Sequence, residues 1–309
     1  MKKIIFPALL IAGAIAIYSC DKIDGPTREE DNSGVVLGEN ALLIDGDTLS
    51  FDTLAYSAQK HVLAEDYTGH LCGTCPPAGV TLNDSLKAQF GEQLVVISIH
   101  AGQFADVCPT ALDCPSAAPT GAFTADYRTA LGNSWNTKFG ITANPIGMID
   151  RVGYPTSHKK VYTAWKNAVQ TELAVAPVAK MRMKTTYDAT SREVRAAVQG
   201  QLIQEYNGTL KLQMVVVEDS IVDWQQWYAH NPQLVSDYVH HDVLRGSFNG
   251  DFGDTLSTGA PIANSTKFIK GYFTSLAANW NADKCHVIAF IYDADTYQVV
   301  EVVQAKVGE

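Results

Sequence analysis

The chain holds 309 residues, 46% of them hydrophobic, which is enough for folded structure of about two ordinary domains. Its 33 acidic and 23 basic residues leave a net charge of −10, and no cluster of Lys and Arg stands out. That excludes a nucleic-acid partner, which would need a basic face.

Lys2 and Lys3 precede an apolar run from Ile4 to Ile17, which ends in Ile17-Tyr18-Ser19-Cys20 and then turns polar. The pattern predicts a signal peptide over residues 1–19. No second apolar run is long enough to span a bilayer. A small residue before the cysteine and an aliphatic one three before it resemble the lipobox of bacterial lipoproteins, which makes lipid on Cys20 the membrane attachment. Residues 20–40, with Gly25, Pro26 and the acidic run Glu29 to Asp31, read as a solvated tether.

Residues 41–176 alternate strands and helices. His61 to Tyr67 reads as a strand, Pro77 to Phe90 as a helix, and Leu94 to Ile99 as a continuous apolar strand of the kind buried in parallel sheets. An insert at 101–122, rich in Pro, Ala and Gly, carries Cys108 and Cys114. A helix is predicted from about Thr124 to Lys138, a proline-led strand after Pro145, and a helix from Lys159 to Leu173.

From residue 177 the period changes. Met181, Met183, Thr185 and Tyr187 alternate with polar neighbours, as do Leu210, Leu212, Met214 and Val216, so strands follow. Asn207-Gly208 lies between two such runs and predicts a type I′ hairpin. Residues 177–309 therefore read as an antiparallel β-sandwich domain, and the fold class as α/β plus all-β.

Cys72-Gly73-Thr74-Cys75 stands at a strand-to-helix turn. Backbone N–H groups at a helix start favour thiolate over thiol, so Cys72 reads as the exposed attacking sulfur and Cys75 as the resolving one. In an oxidising compartment the pair is a redox dithiol, a permanent disulfide or a metal site, and Cys108 with Cys114 reads as a staple, a second redox pair or part of a four-sulfur zinc site. Cys285 opens a strand-like run and reads as a buried inert thiol. His70 and His100 flank the turn and read as solvated. His240, His241 and Asp242 read as an ordinary strand and Asp251 and Asp254 as a loop, so no metal or cofactor is called for.

The order strand, C-G-x-C, helix, strand, helix, proline-led strand resembles a thioredoxin-like domain. That resemblance places a buried acid at Asp66, to accept the proton of Cys75, and a cis-proline at Pro145, lining the substrate groove. More closely, the run from Glu65 to Pro76, with Val217-Glu218-Asp219-Ser220-Ile221 and Tyr238 to Gly246, resembles the outer membrane protein 28 family of lipoproteins. The resemblance implies an outer-membrane location and a thioredoxin-like domain joined to a β domain. The expectation is a lipid-anchored thiol-disulfide exchanger acting on an extracytoplasmic polypeptide. Its rival is a surface binding or adhesion lipoprotein that keeps the redox fold as scaffold for a surface ligand.

Overall fold

The computed structural model describes residues 32–57, 59–257 and 261–309. The expected signal peptide 1–19 and the lipidation site Cys20 lie outside them.

The chain begins with a small antiparallel sheet of β1 (Val35–Val36), β2 (Ala41–Ile44) and β3 (Asp47–Ser50). Part of the stretch expected as tether is therefore fixed. Asn32 donates through Nδ2 to the carbonyls of Phe248 and Phe273, and Gly34 N–H donates to Gly271. Composition marked the stretch as polar, but its backbone and amide groups find partners on the body of the protein.

Next come β4 (Val62–Thr68) and β5 (Leu94–His100), parallel, with Asp66 opposite Ser98. A continuous helical stretch joins them: α1 (Pro76–Val80), a π-helical piece (Thr81–Leu86) and α2 (Lys87–Phe90). Pro76 and Pro77 fit because first-turn N–H groups have no intrahelical acceptor to lose. After the insert, α3 (Ala130–Lys138) starts later than predicted. Thr129 caps it by accepting from Gly132 N–H, so the preceding residues stay extended. Next, β6 (Ile146–Ile149) pairs antiparallel with β4. The last helix, α4 (Trp165–Leu173), follows a 3₁₀ turn, because Lys160 exchanges backbone hydrogen bonds with Gly147 instead of starting the helix.

The remainder is β: β7 (Ala179–Asp188), β8 (Glu193–Leu202), β9 (Leu210–Glu218), β10 (Ile221–Gln226), β11 (Leu234–His240), β12 (Val243–Ser247), β13 (Asp254–Ser257), β14 (Lys267–Ser275), β15 (Cys285–Asp293) and β16 (Val299–Lys306). An eight-stranded sheet runs β16-β15-β9-β12-β5-β4-β6, with β13 beside β9. A three-stranded sheet, β14-β8-β7, packs on one of its faces. The fold is thus mixed α/β with mostly antiparallel strands, few helices and sandwich-like packing in the C-terminal half.

The segments expected as separate domains on either side of residue 177 share the large sheet. Val243 of β12 pairs in parallel with Ser98 of β5, and Ser98 N–H donates to Asp242. Each strand would otherwise present an unpaired edge. The hairpin expected at Asn207-Gly208 is also not formed. Neither residue takes positive φ, and the link carries the chain from β8 in the small sheet to β9 in the large one. Period two announces a strand but not its partner.

Alternation along β4 and β5 positions the site. Leu63, Tyr67, Val95, Ile97 and Ile99 face one side, packed with Leu131 and Trp135 of α3. Val62, Ala64, Leu94 and Val96 face the other, under Ala78 of α1, Leu82 of the π-helical piece and Trp165 of α4. Two residues further on, the same face turns polar with Asp66, Thr68, Ser98 and His100.

Candidate functional site

Beyond Thr68 the chain turns sharply before α1 begins. Leu71 N–H donates to Phe104, Cys72 N–H to Gly69 and Cys75 N–H to Cys72. Gly69 is required here, since a Cβ would lie 2.3 Å from the Phe104 carbonyl oxygen. Cys72 and Cys75 are joined as a disulfide, and each is only 2% exposed. The exposed attacking sulfur expected at Cys72 is therefore not present in this form.

The cover is the hairpin β10–β11, whose two strands form a sheet of their own. Gln226 N–H donates to His70 O at 2.8 Å and Tyr228 N–H to Gly73 O at 2.8 Å. Gln225 is buried and its Nε2 donates to Cys72 O at 3.1 Å. The Tyr228 ring lies flush on Gly73, where a Cβ would meet it at 2.4 Å. These contacts close the turn from solvent.

Beneath the disulfide is a cavity of about 20 Å³, room for one water, walled by Asp66, Cys75, Ser98, His100, Tyr238 and His240 among others. Asp66 is 3% exposed and its Oδ1 has no hydrogen-bond partner. Burial pushes its carboxyl up to about 7. His100 is 3% exposed and neither ring nitrogen is partnered. Burial first, then the neighbouring His240, holds it well below the ordinary histidine range. His240 donates to Trp224 O at 3.3 Å and is pulled down to about 4, chiefly by burial. His70 is fully buried, donates to Asp106 O at 2.7 Å and is lowered by burial. The two histidines expected to be solvated are thus buried, because the hairpin and the insert fold over them. The site is a polar pocket whose one acid sits where it can hold or release a proton near neutral pH.

Pro145 follows a cis peptide bond, one residue before the Ile146–Tyr67 pair, so it lies at the same end of β4 as the disulfide turn but outside the cavity wall. The second pair, Cys108–Cys114, is also a disulfide. It packs with Leu71, Ala111, Ala122 and Phe123, and with Trp224 and Leu234 of the hairpin. Closing a loop of six-residue separation stabilises by about 2 kcal/mol. Denaturant titration of a Cys108→Ser/Cys114→Ser chain is expected to show a loss of that size, with the Cys72–Cys75 bridge intact by mass spectrometry.

Cys285 is fully buried and burial pushes its thiol up to about 12, which leaves it unreactive. His241 pairs with Asp219 at 2.7 Å, and Asp242 with Lys87. Asp251 accepts from Trp135 through its backbone carbonyl and Asp254 from the Tyr272 hydroxyl. Among the described residues no three His, Cys, Asp or Glu are grouped to hold a metal ion.

Gln225 and Tyr228, about 150 residues beyond the cysteines, were not expected at the site, and Tyr238 and His240 stood out only as part of a family motif and an ordinary strand. The one local hint was the aromatic run Trp224-Gln225-Gln226-Trp227-Tyr228 in an otherwise ordinary strand.

A sequence model of the family described as outer membrane protein Omp28 matches residues 132–309. No curated protein matches the chain. Among solved structures, a domain of the outer membrane lipoprotein Omp28 from Porphyromonas gingivalis is 20% identical, covering 43% of this chain and 93% of that one, with a TM-score of 0.28.

Proposed function

This chain belongs to the Omp28 family of outer membrane proteins, and from that premise we propose that lipid on Cys20 holds it at the outer membrane while Cys72 and Cys75 exchange disulfides with an extracytoplasmic polypeptide. Two features support a thioredoxin-like arrangement: the parallel β4-helix-β5 unit with the cysteines at its first turn, and the antiparallel strand β6 beside β4.

The observation that carries the exchange reading is Asp66. A buried, unpartnered carboxyl costs stability and serves no structural bridge, yet it shares a cavity with Cys75. A substrate thiolate attacks Cys72 Sγ, the Cys72–Cys75 bond breaks, and Cys75 leaves as a thiolate that takes its proton from neutral Asp66. A second substrate thiolate then attacks the mixed disulfide and expels Cys72. The protein disulfide gains the two electrons that the substrate thiols lose. The hairpin β10–β11 must lift for the first attack, and no organic cofactor is needed.

A second reading has its own support. Cys72 at 2% exposure under a hydrogen-bonded hairpin suits a permanent bridge in a surface-binding lipoprotein. Thiol trapping in defined glutathione mixtures separates the two. The exchange reading expects a reduction potential of about −120 to −270 mV. A value below roughly −300 mV leaves the scaffold reading.

A further inference from the structure

We infer that the hairpin β10–β11 stands in for the substrate: the partner is an extended polypeptide that displaces β10 from the disulfide turn and lays an aromatic side chain on Gly73.

The pairing across the turn uses groups that every polypeptide carries. N–H groups two residues apart, on Gln226 and Tyr228, donate to His70 O and Gly73 O, while the intervening Trp227 N–H turns inward to Gln233 of the same hairpin. An extended segment can make the same two bonds to the turn, with alternate residues addressing it and main-chain groups supplying the affinity. Side chains add the selection. Only glycine at position 73 lets the Tyr228 ring lie flat on the backbone, so the cleft is shaped for an aromatic ring. The Gln225 amide reaches into the turn and donates to Gly69 O and Cys72 O, which also accept from the Cys72 and Cys75 N–H groups, so it adds a second bond to each carbonyl.

The occupant is also built to leave. Its sheet has two strands and no ladder to the large sheet, and such hairpins are marginal alone. Near its base it is held by Tyr127, which donates to Asp223 at 2.6 Å, and by Trp224, while Leu234, opposite Gln226 at the loop end, packs with the second disulfide. Tyr228 is still 54% exposed at the outer end. An incoming strand can therefore replace the contacts over the disulfide while the base stays attached.

The chemistry of this partner rests on the exchange reading, but its binding does not. The probe is a fluorescein-labelled peptide, Asp-Trp-Gln-Gln-Trp-Tyr-Ala-His, copied from residues 223–230. Anisotropy is measured with the full chain in detergent and with its Tyr228→Ser, Gln225→Ala and Gly73→Ala forms, each first checked for folding by circular dichroism. Three variants guard against one failing to fold. Binding at least tenfold tighter to Tyr228→Ser or Gln225→Ala than to the parent is expected. A peptide with serine in place of its tyrosine should lose that gain, and Gly73→Ala should bind the tyrosine peptide no better than the serine one. Folded Tyr228→Ser and Gln225→Ala forms that bind no tighter than the parent, or equal binding of both peptides, would overturn the inference. A peptide whose cysteine is carried as its mixed disulfide with thionitrobenzoate, and which binds a Cys75→Ser chain without Cys72 displacing thionitrobenzoate to form the peptide mixed disulfide, would support the inference and sink the exchange reading.

Discussion

Replacing Glu65 with Gln is expected to cost about 3 to 5 kcal/mol in denaturant unfolding. Arg151 is 1% exposed and its guanidinium forks onto the Glu65 carboxylate, Nε to Oε2 at 2.8 Å and NH2 to Oε1 at 2.7 Å. It lies among Phe139, Trp135, Phe290 and Tyr292, with ring centroids 4.6 to 5.6 Å from Cζ. Removing the carboxylate's charge strands the guanidinium in that apolar box, where desolvation is no longer offset. Arg151→Met should cost a similar amount by stranding Glu65. The double change Glu65→Leu/Arg151→Met should recover much of the loss, since neither charge is then buried alone. An additive double variant would refute this account. The pair ties β4 to the turn after β6, and Glu65 is the chain neighbour of Asp66, so the site's frame depends on it.

Asp66→Asn is expected to slow the exchange of Cys72–Cys75 with a small thiol by about 100-fold near pH 7, the lower end of what a positioned acid contributes. The pH limb centred near 7 should vanish from the rate profile. The same substitution has a stability signature of opposite direction. Asp66 has an ordinary value of 3.8 and is pushed up to about 7 in the fold, so between these values the folded chain keeps a proton the unfolded chain has lost. The stability it contributes is fully present below about pH 4 and is lost as pH rises through about 7. A shift of this size is worth on the order of 4 kcal/mol. Asp66→Asn should therefore be more stable than the parent at pH 8 and nearly equal to it at pH 4. Asp150, also raised to about 7 by burial with Lys60 pulling the other way, leaves a residual slope of the same sign in both proteins. Equal pH dependence of unfolding in parent and variant would show that Asp66 does not titrate as described.

Much of the N-terminal half was legible because its elements are local. The apolar run at 94–99, short and rich in β-branched residues, read as a buried strand, and the cysteines stood at a strand-to-helix turn. Burial was not legible. Cys72 and Cys75 were expected at an open mouth and His70 and His100 in water, because they are covered by an irregular insert and by a strand pair more than 120 positions away. The same blindness produced the false hairpin at Asn207-Gly208, since a turn-prone dipeptide between two strands reads alike whether the strands pair or part.

The sequence by itself determined the strands around residues 61–67, 94–99, 181–187 and 210–216, the helix after the cysteines and the two disulfide-competent pairs, since each depends on period, turn chemistry or short spacing, while the acid at Asp66 was implied by the thioredoxin-like resemblance. Only the tertiary structure decided that β5 and β12 join both halves into one sheet and that β10 lies across the disulfide. Sheet edges are satisfied by whichever backbone arrives, and backbone donors and acceptors are the same in every residue. Closure of the site is accordingly a property of the assembled fold, while the chemistry it closes over is written in the chain.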